Sequence, residues 1–273
     1  MTQAPAQLFD RRTLAARRAR WRADALFLHQ MARDEAEDRL SLVNRTFTAP
    51  AVVSPFPEVW EGFLPDAKVV ADEDVLALEE DAHDAVIHAM SLHWANDPVG
   101  QLIQARRALR KDGFLLALLF GADTLKELRA VLAEAETRVT GGLSPRVAPM
   151  AEIRDLGALL QRAGLALPVA DTLTLTADYR DLTHLLHDLR GMGETNALSN
   201  RLRRPTRRAV FDAAADLYAA HFATPEGRLT ASFEIACLTG WAPDESQQKP
   251  LRPGSAAMRL ADALGATETP LPD

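Results

Sequence analysis

The sequence has little cysteine and no long hydrophobic run, and each shortage excludes a class of protein. A single cysteine, Cys237, leaves no partner for an internal disulfide in 273 residues, which is compatible with a reducing compartment. Cys237 lies in an apolar run, so we expect a buried, inert thiol. No apolar stretch reaches the roughly 18–20 residues that span a bilayer, so no membrane-spanning helix is expected.

The sequence has no excess of positive charge and lacks two common catalytic signature motifs. The formal net charge of −7 argues against nucleic acid or an anionic membrane surface as the main partner. The sequence contains neither a P-loop nor a G-x-S-x-G nucleophile elbow. His184 and His187 have helical i, i+3 spacing, but no further ligands follow from the spacing, so no metal site is predicted.

Residues 1–42 are rich in arginine, which is typical of a transit peptide or of a basic helix. The segment also carries acidic residues such as Asp24 and Glu35, and transit peptides avoid acids. We therefore predict an amphipathic helical extension. Its arginines either form a solvated helix face or contact an acidic partner.

The middle of the chain alternates between strand patterns and helix patterns. Strands are predicted at 51–54, 67–72, 84–90 and 114–120, and helices at 97–113 and 122–139. Gly113 is expected to end the first of these helices, and Asp123 or Thr124 to cap the second. This alternation predicts a parallel sheet covered by helices, an α/β fold.

The pattern changes after residue 140. A loop rich in glycine and proline at 141–150 precedes helices at 152–164, 181–190 and 206–222 and strands at 173–179 and 228–241. Gly164 is expected to end the first of these helices. We predict a helical extension at 1–42, an α/β domain at 43–258 with a helical addition at 181–222, and a tail at 259–273.

Several segments resemble a known superfamily. "DAVIHAMSLHWANDP" (84–98) and "ARRALRKDGFLLALLFGADTLKELR" (105–129) resemble class I S-adenosylmethionine (SAM) dependent methyltransferases, in the branch of the malonyl-carrier-protein methyltransferases of biotin synthesis. "GGLSPRVAPM", "LRGMGETNAL" and "GWAPDESQQKPLRPGSA" are similar to segments of the mitochondrial complex I assembly factors that hydroxylate an arginine. The resemblance implies a three-layer, Rossmann-like α/β sheet with helical insertions, in which the strands are parallel apart from one antiparallel strand at about 230–241.

The resemblance also implies how a cofactor would be held. In the family a glycine-rich loop follows the first strand, an acid follows the second, and a carboxylate or amide follows the third. The third element is present as Asp72, and Met90 is implied on the cofactor side. Where the glycine loop would stand, residues 51–70 carry an isolated Gly62 and two prolines, Pro55 and Pro57, which offer no backbone N–H. The segment is also too short for the second strand, so we predict weak SAM binding or none.

The candidate site residues come from four separate segments. His93 and Trp94 end the fourth strand of the family pattern, and they either contact substrate, with His93 catalytic, or form a packed pair with a structural role. Asn96 and Asp97 are expected to cap the next helix. The resemblance implies a substrate-side role for four further polar residues, for which solvated loops and helix ends are the alternative: Arg146, Glu194, Asn196 and Arg252.

Two functions of different classes follow. The first is a transferase or hydroxylase of the complex I assembly type that acts on a protein substrate. The second is a non-catalytic relative that keeps the substrate surface as a binding or assembly module. Both functions imply a protein partner, for which a subunit of a respiratory complex is the candidate. The resemblance, together with the composition, indicates a cytoplasmic protein.

Overall fold

The computed structural model describes residues 7–248 of the chain. Residues 7–243 form one compact unit, and 244–248 belong to a second unit. The predicted N-terminal extension is helical, with α1 at Arg11–Arg18, a 3₁₀ turn at Ala23–Ala25 and α2 at Phe27–Leu42. Asp10 begins α1, since its carboxylate accepts a hydrogen bond from the Thr13 backbone N–H at 2.9 Å.

The strands of the described residues form one six-stranded sheet. The remaining elements are β1 (Pro50–Val53), α3 (Pro57–Trp60), β2 (Lys68–Val70), β3 (His83–Ala89), α4 (Pro98–Ala108), β4 (Leu109–Phe120), α5 (Lys126–Thr140), α6 (Ile153–Arg162), β5 (Ala166–Tyr179), α7 (Leu182–Gly191), α8 (Arg208–Phe222) and β6 (Leu229–Trp241). The strand order is β2-β1-β3-β4-β6-β5. Strands β1 to β4 are parallel, and β6 runs antiparallel to both of its neighbours, as predicted.

Hydrophobic side chains fill the space on both faces of the sheet. In β3, Ile87 belongs to the core on the face of α2, α5, α7 and α8, while Val86 belongs to the core on the face of α4 and α6. The same alternation in β4 places Leu116 in the first core and Leu115 in the second. The predicted three-layer α/β architecture is confirmed. No helix in residues 7–248 is long and apolar enough to span a membrane.

Two predicted helix ends were wrong. The helix predicted at 97–113 ends at Ala108, and Gly113 lies inside β4, because β4 already pairs with β3 from Leu109. The helix predicted at 122–139 begins at Lys126 without a side-chain cap. Thr124 does not cap it, since its hydroxyl accepts the Glu234 backbone N–H of β6 at 3.0 Å and donates to the Glu234 carbonyl oxygen at 3.0 Å.

Two other local predictions are confirmed. Gly164 follows α6 with a φ of 76°, a left-handed conformation that glycine adopts without strain. Cys237 is fully buried in β6, and this burial raises the pKa of its thiol to about 12. The thiol is therefore protonated at neutral pH.

Candidate functional site

His93 and Trp94 lie directly beyond the carboxyl end of β3, in a 3₁₀ turn at Leu92–Trp94. The chain turns at Met90, whose φ is 50° and whose side chain is fully buried in the core. His93 thereby reaches the end of β4, where the Phe120 backbone N–H donates to its Nδ1 at 3.4 Å. The Trp94 ring packs edge-on against Phe9 with 5.0 Å between ring centroids. The pair is thus fixed at the edge of the sheet where parallel α/β folds bind ligands.

Glu194 lies at the centre of the polar contacts made by this pair. It accepts a hydrogen bond from the Trp94 indole N–H, and its Oε2 lies 3.4 Å from Nε2 of His93. Since Nδ1 of His93 accepts from Phe120, its proton is on Nε2 and is donated to Glu194. Burial opposes ionisation of Glu194, but the charge of Arg18 and the hydrogen bond from His93 outweigh it and lower its pKa to about 2. Glu194 is therefore a buried anion at neutral pH.

Arg18 of α1 joins Glu194 to the carboxylate that follows β2. Its Nη2 lies 3.4 Å from Glu194 Oε1, and its Nη1 lies 2.8 Å from Asp72 Oδ2. Arg11, two turns earlier on the same face of α1, contacts the same Asp72 oxygen at 3.3 Å and also donates to the Asp72 carbonyl oxygen. The acid implied for a cofactor is therefore paired with two guanidinium groups of the chain's own N-terminal helix.

The turn after β1 is filled by side chains. Ser54 accepts the Phe56 backbone N–H on its own hydroxyl at 3.1 Å. Phe56 and Trp60 are almost completely buried, and the Phe56 ring lies 4.7 Å from the His29 ring of α2 and 5.9 Å from the Trp21 ring. Aromatic packing therefore occupies the space beside the end of β1. In the described chain two strands, β1 and β2, precede β3, where the family pattern has three.

A cavity of about 250 Å³ borders Trp94 and Glu194. Its wall combines the end of β4, helices α5, α7 and α8, the loop before α6 and the turn after α7. Most of the lining side chains are apolar, and they include Phe120, Leu128, Leu132, Leu189, Met192, Phe211 and Phe233. This is the composition of a site that binds an apolar group and orients it with few polar contacts.

Two of the predicted substrate-side residues in the cavity wall, Arg146 and Asn196, hold loops in place. Arg146 makes a bidentate ion pair with Glu136 at 2.9 and 2.7 Å. Asn196 donates to the Pro145 carbonyl oxygen at 2.7 Å and accepts the Leu198 backbone N–H at 3.0 Å. Arg252 lies outside the described residues. The structure thus brings Trp94, Arg146, Glu194 and Asn196 to one cavity, with His93 behind Glu194.

Comparison with known proteins identifies the superfamily of the chain. A family model described as a methyltransferase domain matches residues 46–117. The human mitochondrial protein named arginine-hydroxylase NDUFAF5 is 35% identical over 230 residues, which cover 84% of this chain and 66% of that protein. The malonyl-[acyl-carrier protein] O-methyltransferase of Xylella fastidiosa is 33% identical over 179 residues, or 66% of this chain and 58% of that protein. The chain belongs to the methyltransferase superfamily.

The superfamily relatives are longer than the matched region. The chain spans 66% of the length of the human relative and 58% of the length of the Xylella one. The solved structure of the YcgJ protein from Bacillus subtilis aligns with 78% of this chain and 99% of its own, at 11% identity and a TM-score of 0.48. Members of this superfamily generally use SAM, and the human relative carries the name of a hydroxylase.

Several residues around the site were not predicted from the sequence, and one was assigned the wrong role. Arg11 and Arg18 were interpreted as part of a basic helix face, although Arg18 shares an i, i+4 face with the buried Leu14. His29 is fully buried, neither of its ring nitrogens has a partner in the described chain, and burial lowers its pKa to about 4. Asn96 does not cap α4, because its side chain pairs with the Phe9 backbone at 2.8 and 3.1 Å. Asp97 caps that helix alone, by accepting from Gly100 at 2.8 Å.

The histidines do not form a metal centre in residues 7–248. No group of three or more His, Cys, Asp or Glu side chains in that range is placed to hold an ion. His88, which lies in β3, is instead bonded through Nε2 to Gln101 Oε1 at 2.7 Å. His184 uses Nδ1 to accept the Arg180 backbone N–H at 3.5 Å.

Proposed function

We propose that this chain is a partner-binding assembly protein with a methyltransferase fold, and that its cofactor side is eroded. Its binding site for a protein is the cavity bordered by Trp94 and Glu194. The named relative NDUFAF5 and the sequence resemblance to complex I assembly factors favour a respiratory complex subunit as the partner. We propose that the chain binds this partner in the cytoplasm, where the buried Cys237 thiol is stable without a disulfide.

The observation that carries the proposal is the position of Arg18. In the family the carboxylate after the third strand accepts a hydrogen bond from the adenine amine, so its oxygens must be free to accept it. Asp72 Oδ2 already accepts from Arg18 and Arg11, and Arg18 extends on to Glu194. The turn after β1 carries Pro55 and Pro57 where backbone N–H groups would be needed. These residues do not fit SAM held in the family's manner, so no chemical step is assigned to that cofactor.

A catalytic role on a protein substrate is the second candidate. One observation favours it: the buried His93–Glu194 pair stands next to the cavity, with Glu194 ionised and in its wall. In that case Glu194 would orient the bound group, and His93 would hold Glu194 in place as a positioning residue. Mass spectrometry of the bound partner separates the two candidates, because a catalyst leaves a methyl group or an oxygen atom on it.

Partner binding is expected to depend on Phe211 at the cavity wall. Phe211 is 37% exposed, an unusual state for a large aromatic side chain, and its substitution disturbs little of the core. Phe211→Ser should weaken partner binding about tenfold or more, since buried aromatic anchors dominate interface energies. The measurement is affinity capture from an extract of the cells that make the protein, with quantitation of respiratory complex subunits.

Met31→Ser is the matched control for this experiment. Met31 is also 37% exposed and apolar, but it lies on α2 and is not part of the cavity wall. It should capture the same subunits as the wild type. Equal recovery by the wild type and both variants would show that the partner binds elsewhere, with the arginine-rich α1 as the next surface to test.

A further inference from the structure

The cavity next to Trp94 has a charged side as well as an apolar one. Phe120, Phe233 and Leu128 provide its apolar wall, which is continuous with the main core of the protein. Four ionised side chains also reach it: Arg17, Arg146, Glu194 and Arg201. A cavity with one apolar side and one charged side favours a ligand that has an apolar body and a charged end.

The charges of the cavity do not balance. Arg146 is paired with Glu136 at 2.7 Å, Arg201 with Asp10 at 3.0 Å, and Glu194 with Arg18 at 3.4 Å. Arg17 takes part in no ion pair among residues 7–248. The cavity wall therefore carries one uncompensated positive charge, and that charge is on Arg17.

Arg17 is also held in position. Its Nη1 donates to the carbonyl oxygen of Asn196, on the turn after α7, and its backbone lies in α1. One fixed hydrogen bond leaves further N–H groups of the guanidinium for a ligand. Burial and the positive charges of Arg201 and Arg20 lower the pKa of Arg17 and outweigh the opposing charge of Asp10, which is paired with Arg201, so a bound anion would relieve an unfavourable environment.

We propose that this cavity binds a carboxylate carried on an apolar body. Arg17 pairs with the carboxylate through a charge-assisted hydrogen bond, while Phe120, Leu128 and Phe233 contact the body. As to the source of the group, the inference rests on the proposed function: the partner protein presents an acidic side chain next to apolar residues. Arginine serves this role better than lysine, because its planar fork matches a carboxylate.

Two small probes of the same shape test the chemistry without any partner. 4-Phenylbutyrate carries the carboxylate, and 4-phenylbutanamide is its neutral counterpart. Wild-type protein should bind the acid about tenfold or more tightly than the amide in ligand-observed NMR titrations, as expected for a charge-assisted contact. Arg17→Gln should remove this preference and leave binding of the amide unchanged.

Arg12→Gln is the matched control, since Arg12 is an exposed arginine of the same helix that does not line the cavity. It should keep the preference for the acid. Equal affinity of the wild type for acid and amide would overturn the proposal. So would a preference for the acid that survives in Arg17→Gln, because the anion would then bind somewhere else.

A second pair of probes tests the source of the carboxylate. A capped Leu-Phe-Glu-Leu peptide should bind more tightly than its Leu-Phe-Gln-Leu counterpart, again only while Arg17 is present. If the acid binds but the two peptides do not differ, the assignment to a partner's acidic side chain is overturned and the site takes free acids. If partner capture succeeds while both carboxylate probes fail, this inference falls and the proposed function stands.

Discussion

Replacing Arg18 with methionine is expected to lower the free energy of unfolding by about 3–5 kcal/mol. The Arg18 side chain is only 7% exposed, and it pairs with carboxylates on Asp72 and Glu194 that are 10% and 4% exposed. Methionine keeps much of the apolar stem but leaves Glu194 as a buried anion without its cation. Asp72 keeps Arg11, so most of the loss comes from Glu194. Urea unfolding at neutral pH measures the change.

Arg12→Met is the control for this prediction, since Arg12 lies on the same helix and is exposed. It should change stability by less than about 0.5 kcal/mol, as surface substitutions usually do. The double variant Arg18→Met, Glu194→Gln should recover part of the loss, because the unpaired charge is gone. If Arg18→Met costs no more than Arg12→Met, the Arg18 pairs are solvated and do not close the cofactor side.

Replacing Trp94 with alanine is expected to cost about 3–5 kcal/mol of stability. Trp94 is 3% exposed, packs edge-on against Phe9 at 5.0 Å between ring centroids, and donates its indole N–H to Glu194. Alanine removes the ring contacts and leaves Glu194 without one donor. Trp94→Phe keeps an aromatic ring and should cost about 1–3 kcal/mol, the price of a lost hydrogen bond to a charged group. Urea unfolding of both variants gives the comparison.

The same variants separate structure from function at this residue. Because Trp94 also lines the cavity, Trp94→Phe should weaken partner capture by more than its folded fraction accounts for. Capture that merely follows the folded fraction would make the His93–Trp94 pair structural. A stability cost below about 1 kcal/mol for Trp94→Ala would contradict the packing described for the pair.

The sheet could be predicted because its signal is local. The residues of β4 from Phe114 to Phe120 form an unbroken apolar run, which is typical of a strand that is buried on both faces. The strand pattern of β6 and the glycine end of α6 were likewise visible in short stretches of sequence, whereas the antiparallel direction of β6 was implied by the family resemblance. Helix starts were harder, because partners distant in the chain decided them. Thr124 bonds to Glu234, 110 residues away, and Asn96 bonds to Phe9, 87 residues away.

The residues of the candidate site could likewise be predicted only in part. His93, Trp94, Glu194 and Asn196 stood in segments that resemble the family, and the structure places them close together. Arg18 could not be found from the sequence, since its acids are 54 and 176 residues away and a run of arginines is typical of a solvated helix. Its importance follows from the fold, which lays α1 over the ends of β2 and β3.

The central claim is that this methyltransferase-fold protein does not hold SAM in the manner of its family. Isothermal titration of the purified chain with SAM, and in parallel with S-adenosylhomocysteine, tests it most directly. We predict weak binding or none for both, since Arg18 and Arg11 already occupy Asp72 and the turn after β1 has no glycine cradle. A dissociation constant in the low micromolar range or below, for either ligand, would contradict this account.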